Sequence, residues 1–162
     1  MKYSLLVFVL LSVTTSSHGQ KNGNFLKLHA SAEFTTGLFN EGYNTGWGIY
    51  ATDYFGLGDK TAISLSTGIA SWNAKNAELK AGMSLSRVGL RQFLASGFYL
   101  QADAGIAVGL KDWSGSTKFA FSGGAGYLFR INGKGGVDIS AKVSRSFDRT
   151  WIGLGAGYEF KL

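Results

Sequence analysis

The sequence predicts an all-β fold: eight antiparallel strands in up-and-down order, closed into a transmembrane β-barrel. Three observations predict it. Period-two alternation of apolar with small or polar residues recurs eight times, and no helical periodicity follows the first twenty residues. The polar member of each alternating face is mostly Gly, Ser or Ala, which suits a crowded lumen better than a hydrated surface. Charged residues make up only 16% of the chain, against roughly 25% in soluble domains, too few to cover a small water-soluble globule.

The chain opens MKYSLLVFVLLSVTTSSHGQ. Lys2 is a positive n-region, Leu5 to Leu11 a short apolar core, and Ser17-His18-Gly19 a small-x-small cleavage site. Residues 1–19 are therefore expected to be a cleaved secretory signal and residues 20–162 the barrel domain. The apolar run is too short for a spanning helix.

The strands follow in order. Near 25 to 36, Leu26, Leu28, Ala30, Ala32 and Phe34 alternate with Lys27, His29, Ser31, Glu33 and Thr35. The second lies near 45 to 55. Near 61 to 72, Ile63, Leu65, Thr67 and Ile69 oppose Ser64, Ser66, Gly68 and Ala70. The fourth starts near Glu78, with Leu79, Ala81, Met83 and Leu85 against Lys80, Gly82, Ser84 and Ser86. The fifth, FYLQADAGIAVGL at 98 to 110, alternates over thirteen residues.

In the sixth, 117 to 131, Phe119, Phe121, Ala125, Tyr127 and Phe129 face away from Lys118, Ser122, Gly124, Gly126 and Arg130. The seventh, 136 to 147, sets Val137, Ile139, Ala141 and Val143 against Asp138, Ser140, Lys142 and Ser144. The last, WIGLGAGYEFKL, sets Ile152, Leu154, Ala156, Tyr158, Phe160 and Leu162 against Gly153, Gly155, Gly157, Glu159 and Lys161. Links this short permit only antiparallel neighbours. Two strands fit the rule poorly. Asp53 shares a face with Trp47, Ile49 and Ala51, and the fourth strand changes parity between Leu85 and Val88, which predicts a bulge or an earlier turn.

In water the apolar faces would form a large exposed band. A closed barrel in lipid needs such a band and leaves no strand edge unpaired. If the chain starts on the periplasmic side, Trp47, Trp72, Trp113 and Trp151 all fall at the outer end and are expected to form an outer aromatic girdle. Phe55, Phe93, Phe98, Phe129 and Phe160 gather at the other end. Lys27, Glu33, Lys80, Asp103, Lys118, Arg130, Asp138, Lys142, Glu159 and Lys161 carry both signs on the inner faces and are expected to form a lumen charge network.

The signal peptide, the eight strands, the Gly-rich inner faces and the final GAGYEFKL resemble the small OmpA/OmpX-type outer-membrane β-barrels. The resemblance covers essentially all of the mature chain, and its specificity is architectural. It implies an outer-membrane location and a C-terminal strand, Tyr158, Phe160 and Leu162, read by the barrel-assembly machinery. Members often end on an aromatic residue, and Leu162 departs from that pattern.

The expected function is structural, in envelope maintenance, with a lumen closed by polar and charged side chains. The alternatives are a narrow channel or small-solute barrel, and a soluble lipocalin-like barrel holding an apolar ligand. Eight strands exclude a wide pore. His29 is the one histidine outside the signal and lies toward the periplasmic end, away from where a barrel esterase would need it. No enzyme activity, cofactor or metal site is expected, and zero Cys excludes a disulfide framework or an acylated cysteine. The +6 net charge is scattered singly, which gives nucleic acid no patch to bind. The expected partners are outer-membrane lipid, lipopolysaccharide and the assembly machinery, around a monomer. The outer links are brief and offer no large recognition platform.

Overall fold

The computed structural model describes residues 23–75, 80–111, 115–131 and 134–162, so the signal segment and Trp113 lie outside the described residues. Eight strands close into one barrel: β1 (Phe25–Thr36), β2 (Gly46–Gly56), β3 (Thr61–Asn73), β4 (Lys80–Phe93), β5 (Phe98–Lys111), β6 (Thr117–Ile131), β7 (Gly135–Ser146) and β8 (Arg149–Lys161). Each pairs antiparallel with its neighbour in sequence, and β8 returns to β1 from Phe25↔Lys161 to Thr36↔Thr150. No sheet edge is left open, so the backbone satisfies itself without water. One short helix, α1 (Leu38–Gly42), links β1 to β2.

Both chain ends of the barrel, and the β2–β3, β4–β5 and β6–β7 links, lie at one end, here the terminal end. The opposite loop end carries α1 and the β7–β8 turn, where Phe147 and Asp148 both take positive φ, 53° and 58°. That pair of conformations is the type I′ geometry that matches strand twist.

The outer wall is apolar. Leu28, Ile49, Ile69, Val88, Leu100, Ile106, Ile139 and Leu154 are all exposed on it. Phe98, Tyr127, Phe129 and Phe160 ring the terminal end of the wall, with Tyr127 against Phe129 at 4.6 Å and Tyr158 against Phe160 at 4.7 Å. Phe34, Trp47, Phe119 and Phe121 ring the loop end. Along most strands the apolar face points outward and the charged and small polar residues inward, which is the reverse of a lipocalin-like barrel; the first half of β4 is the exception.

Inner-face glycines make room for large side chains on neighbouring strands. A Cβ on Gly68 would strike the Tyr50 ring, and one on Gly126 would strike the Tyr99 ring and hydroxyl. Here glycine serves close approach across the sheet rather than a turn.

The fourth strand differs from expectation. Its register with β3 runs without a break from Thr61↔Gln92 to Asn73↔Lys80, so there is no bulge. Parity holds throughout, and what changes is the chemistry of the interior. Ala81, Met83 and Leu85 are buried inside, and Gly82, Ser84 and Ser86 take the outward positions. Asp53 lies on the outward face of β2 near the terminal end, level with Leu26 and Leu65.

Candidate functional site: the barrel lumen

Toward the loop end the lumen is filled by apolar side chains. Phe39, Tyr50, Ala70, Trp72, Ala81, Met83, Leu85, Ala107, Ala120 and Trp151 form one buried cluster. Trp72 meets Trp151 edge-on at 5.4 Å, and Phe39 of α1 meets Trp72 at 5.2 Å from above. Arg149 lies over the Phe39 ring at 5.2 Å and the Tyr43 ring at 5.3 Å, closing the cap.

These positions correct the expected girdle. Trp72 and Trp151 are each 1% exposed inside the barrel, whereas Trp47 is 49% exposed on the wall. Trp72 shares parity with Ser64, Ser66 and Gly68, and Trp151 with Gly153, Gly155 and Gly157, so the alternation itself turns both inward. Phe93 likewise turns inward, meeting Tyr99 at 5.6 Å.

Below the plug the interior is charged. Lys27 and Asp138 form an ion pair with both side chains fully buried. The Tyr99 hydroxyl donates to the other Asp138 oxygen at 2.6 Å, and Arg91 Nη2 lies 3.7 Å from that oxygen. Arg91 Nη1 donates to Glu159 at 2.6 Å. Its guanidinium is held between Tyr54, 3.5 Å from the ring centroid, and Tyr99, 4.1 Å away. Flat cation against aromatic face is a geometry that lysine cannot reproduce.

A second group centres on Asp103. One oxygen accepts from Ser64 at 2.8 Å and from Gln101 Nε2 at 2.8 Å. The other accepts from Ser122 at 3.1 Å and Lys142 at 3.3 Å. Tyr54 donates to Gln101 Oε1 at 3.0 Å, joining this group to the first, and Arg87 donates to Ser122 at 3.0 Å. Higher up, Glu33 accepts from Ser31 and from Tyr50 at 2.9 Å. Tyr50 in turn stacks on His29 at 4.9 Å. A void of about 20 Å³ beside His29, Glu33 and Lys142 has room for one water.

Lys27, Arg87, Arg91 and Lys142 thus face Glu33, Asp103, Asp138 and Glu159, four cations against four carboxylates among the described residues. Six of the ten expected network residues belong here: Lys27, Glu33, Asp103, Asp138, Lys142 and Glu159. The other four do not. Lys80 has outward parity at the loop rim. Lys118 has inward parity but is exposed at that rim, and Arg130 and Lys161 are exposed at the terminal mouth. Arg87 and Arg91 join instead, and their alternation with Val88 and Leu90 was the signal for them.

Among the C-terminal residues, Tyr158 and Phe160 lie on the outward face of β8, and Leu162 just beyond it is exposed. The described residues contain no cluster of three metal-ligating side chains.

An apolar outer wall, aromatic rings at both ends and a charge-paired interior define an eight-stranded transmembrane β-barrel. Solved structures of that class are similar to this chain. Neisserial surface protein A superposes with a TM-score of 0.63 at 12% identity, over 87% of this chain and 98% of that one. Ail, the attachment invasion locus protein of Yersinia pestis, gives 0.56 at 16% identity, covering 86% and 99%. The N-terminal β-barrel domain of Pseudomonas aeruginosa OprF gives 0.52 at 14% identity, covering 85% and 98%. At these identities the likeness is one of fold. No family model and no curated protein matches the sequence.

Proposed function

We propose that this chain is an integral outer-membrane barrel, monomeric and non-enzymatic, that serves the envelope as a sealed structural element. The observation that carries the reading is the filled interior: an apolar plug at the loop end stands on a layer of matched buried charges. Similarity to barrels from bacterial surfaces supports the outer membrane as its location. In that setting the terminal end faces the periplasm, lipid and lipopolysaccharide contact the apolar wall, and the assembly machinery reads the outward Tyr158 and Phe160.

The test joins two measurements. Unboiled protein from the outer-membrane fraction should migrate differently from boiled protein, because a closed barrel unfolds slowly in detergent. The same protein in planar bilayers should give no conductance steps. Regular steps would replace the sealed reading with a narrow channel, and a soluble protein without a heat shift would remove the membrane reading altogether.

A further inference from the structure

The terminal mouth of the lumen holds a cavity of about 380 Å³ that the filled interior does not account for. Its charged lining is Lys60, Arg91, Arg130 and Lys161 against Asp59 and Glu159, two more cations than carboxylates. Arg130 is at an inward position of β6 and Lys161 at an inward position of β8, so the sheet aims both toward the barrel axis rather than into lipid. Lys60 reaches the same space from the β2–β3 link.

Two features separate this from an ordinary basic rim. The floor is built: Arg91 is buried, bonded through Nη1 to Glu159 and held between the Tyr54 and Tyr99 rings, so a fixed positive charge lies directly beneath the cavity. One wall is apolar, formed by Phe25, Phe93 and Leu128. Arg91 and Arg130 lie over the Phe93 ring at 5.8 and 5.7 Å. Cationic groups beside an apolar surface, in a concave space of this size, are what small-ligand sites are made of.

We propose that the terminal mouth is a binding site for a small anion that presents carboxylate or phosphate oxygens to Arg130, Lys60 and Lys161 and an apolar part to Phe93. The ligand binds and leaves by the same mouth, because the Arg91–Glu159 and Lys27–Asp138 pairs lie beneath it. The site therefore works as a receptor pocket whether or not the barrel has any other role. A soluble metabolite and a phospholipid headgroup share this chemistry, and the test separates them.

The test uses isotope-labelled barrel in nanodiscs of neutral phosphatidylcholine, followed by amide NMR. Citrate and inorganic phosphate are the soluble probes, and discs with added phosphatidylglycerol are the headgroup arm. The expected result is saturable shifts at Gly56, Gly58 and Gly135. Arg130→Gln should weaken binding about three- to tenfold, as loss of one charge-assisted contact does. Arg145→Gln on the opposite half of the barrel, which removes equal charge, should leave binding unchanged. Shifts that saturate with phosphatidylglycerol alone and depend on Arg130 assign the site to a headgroup. Absence of saturable shifts in every arm, or equal weakening by both variants, overturns the proposal.

Discussion

Replacing Asp138 by Asn changes one atom's identity and leaves the side chain's shape intact. In the native barrel this carboxylate takes the Lys27 ammonium on one oxygen and the Tyr99 hydroxyl and Arg91 on the other. Asp138 and Lys27 are both fully buried. Arg91 keeps Glu159, but Lys27 is left beside Arg91 with no bonded carboxylate. Removing one member of a buried pair costs about 3–5 kcal/mol, most of it the uncompensated charge that remains. At about 1.4 kcal/mol per decade, the folded-to-unfolded ratio should fall roughly a hundred- to several-thousand-fold.

The double variant Lys27→Met/Asp138→Leu removes both charges. It should lose less than Asp138→Asn alone, its main cost being the Tyr99 hydroxyl's lost acceptor at about 1 kcal/mol. Equilibrium urea unfolding in phospholipid vesicles, read by tryptophan fluorescence and by the heat-shifted band, measures all three proteins. A single-variant loss below about 1 kcal/mol, the range of a solvated surface pair, would refute the reasoning. So would a double variant less stable than Asp138→Asn.

The same unfolding assay checks three further expectations. Leu85→Ala should cost about 2–5 kcal/mol as a buried plug residue, while Ser86→Leu, which faces lipid, should be neutral or stabilising; the reverse order would invert the faces of β4. Trp72→Ala should cost about 3–5 kcal/mol and Trp47→Ala clearly less, since only Trp72 is enclosed. Gly126→Ala should cost about 1–3 kcal/mol by forcing Tyr99 aside, whereas Gly123→Ala meets nothing within 4 Å and should be tolerated.

Strand positions were legible because period two is set by the backbone and survives whatever fills the barrel. The expected strands reappear with ends moved by two residues or fewer, save that the expected β4 start at Glu78 and Leu79 lies outside the described residues, and the inner faces of β1, β3, β5, β6, β7 and β8 are those the alternation marks. What misled was the equation of apolar with outward. The loop half of the lumen is itself apolar, so Met83 inside and Val88 outside carry the same chemical label. The tryptophans failed for a related reason. Distance along a strand fixes height, and parity fixes side; for Trp72 and Trp151 the height is that of a girdle and the parity is that of the lumen. The ion-pair partners were not legible at all, since the step between neighbouring strands, which brings Lys27 to Asp138, is a property of closure.

Closure also governs how the chain reaches this state. The β1–β8 seam joins the first strand to the last from Thr36↔Thr150 to Phe25↔Lys161, so it cannot be completed until the final residues exist. Any shorter chain presents two bare strand edges and an apolar wall, a combination that templates aggregation. Contacts so distant in sequence also make folding slow. In a chain with this topology the sheet closes only after its last strand has been made. Seam variants should therefore alter the rate of maturation far more than variants of the β3–β4 or β4–β5 hairpins, which zip from local turns.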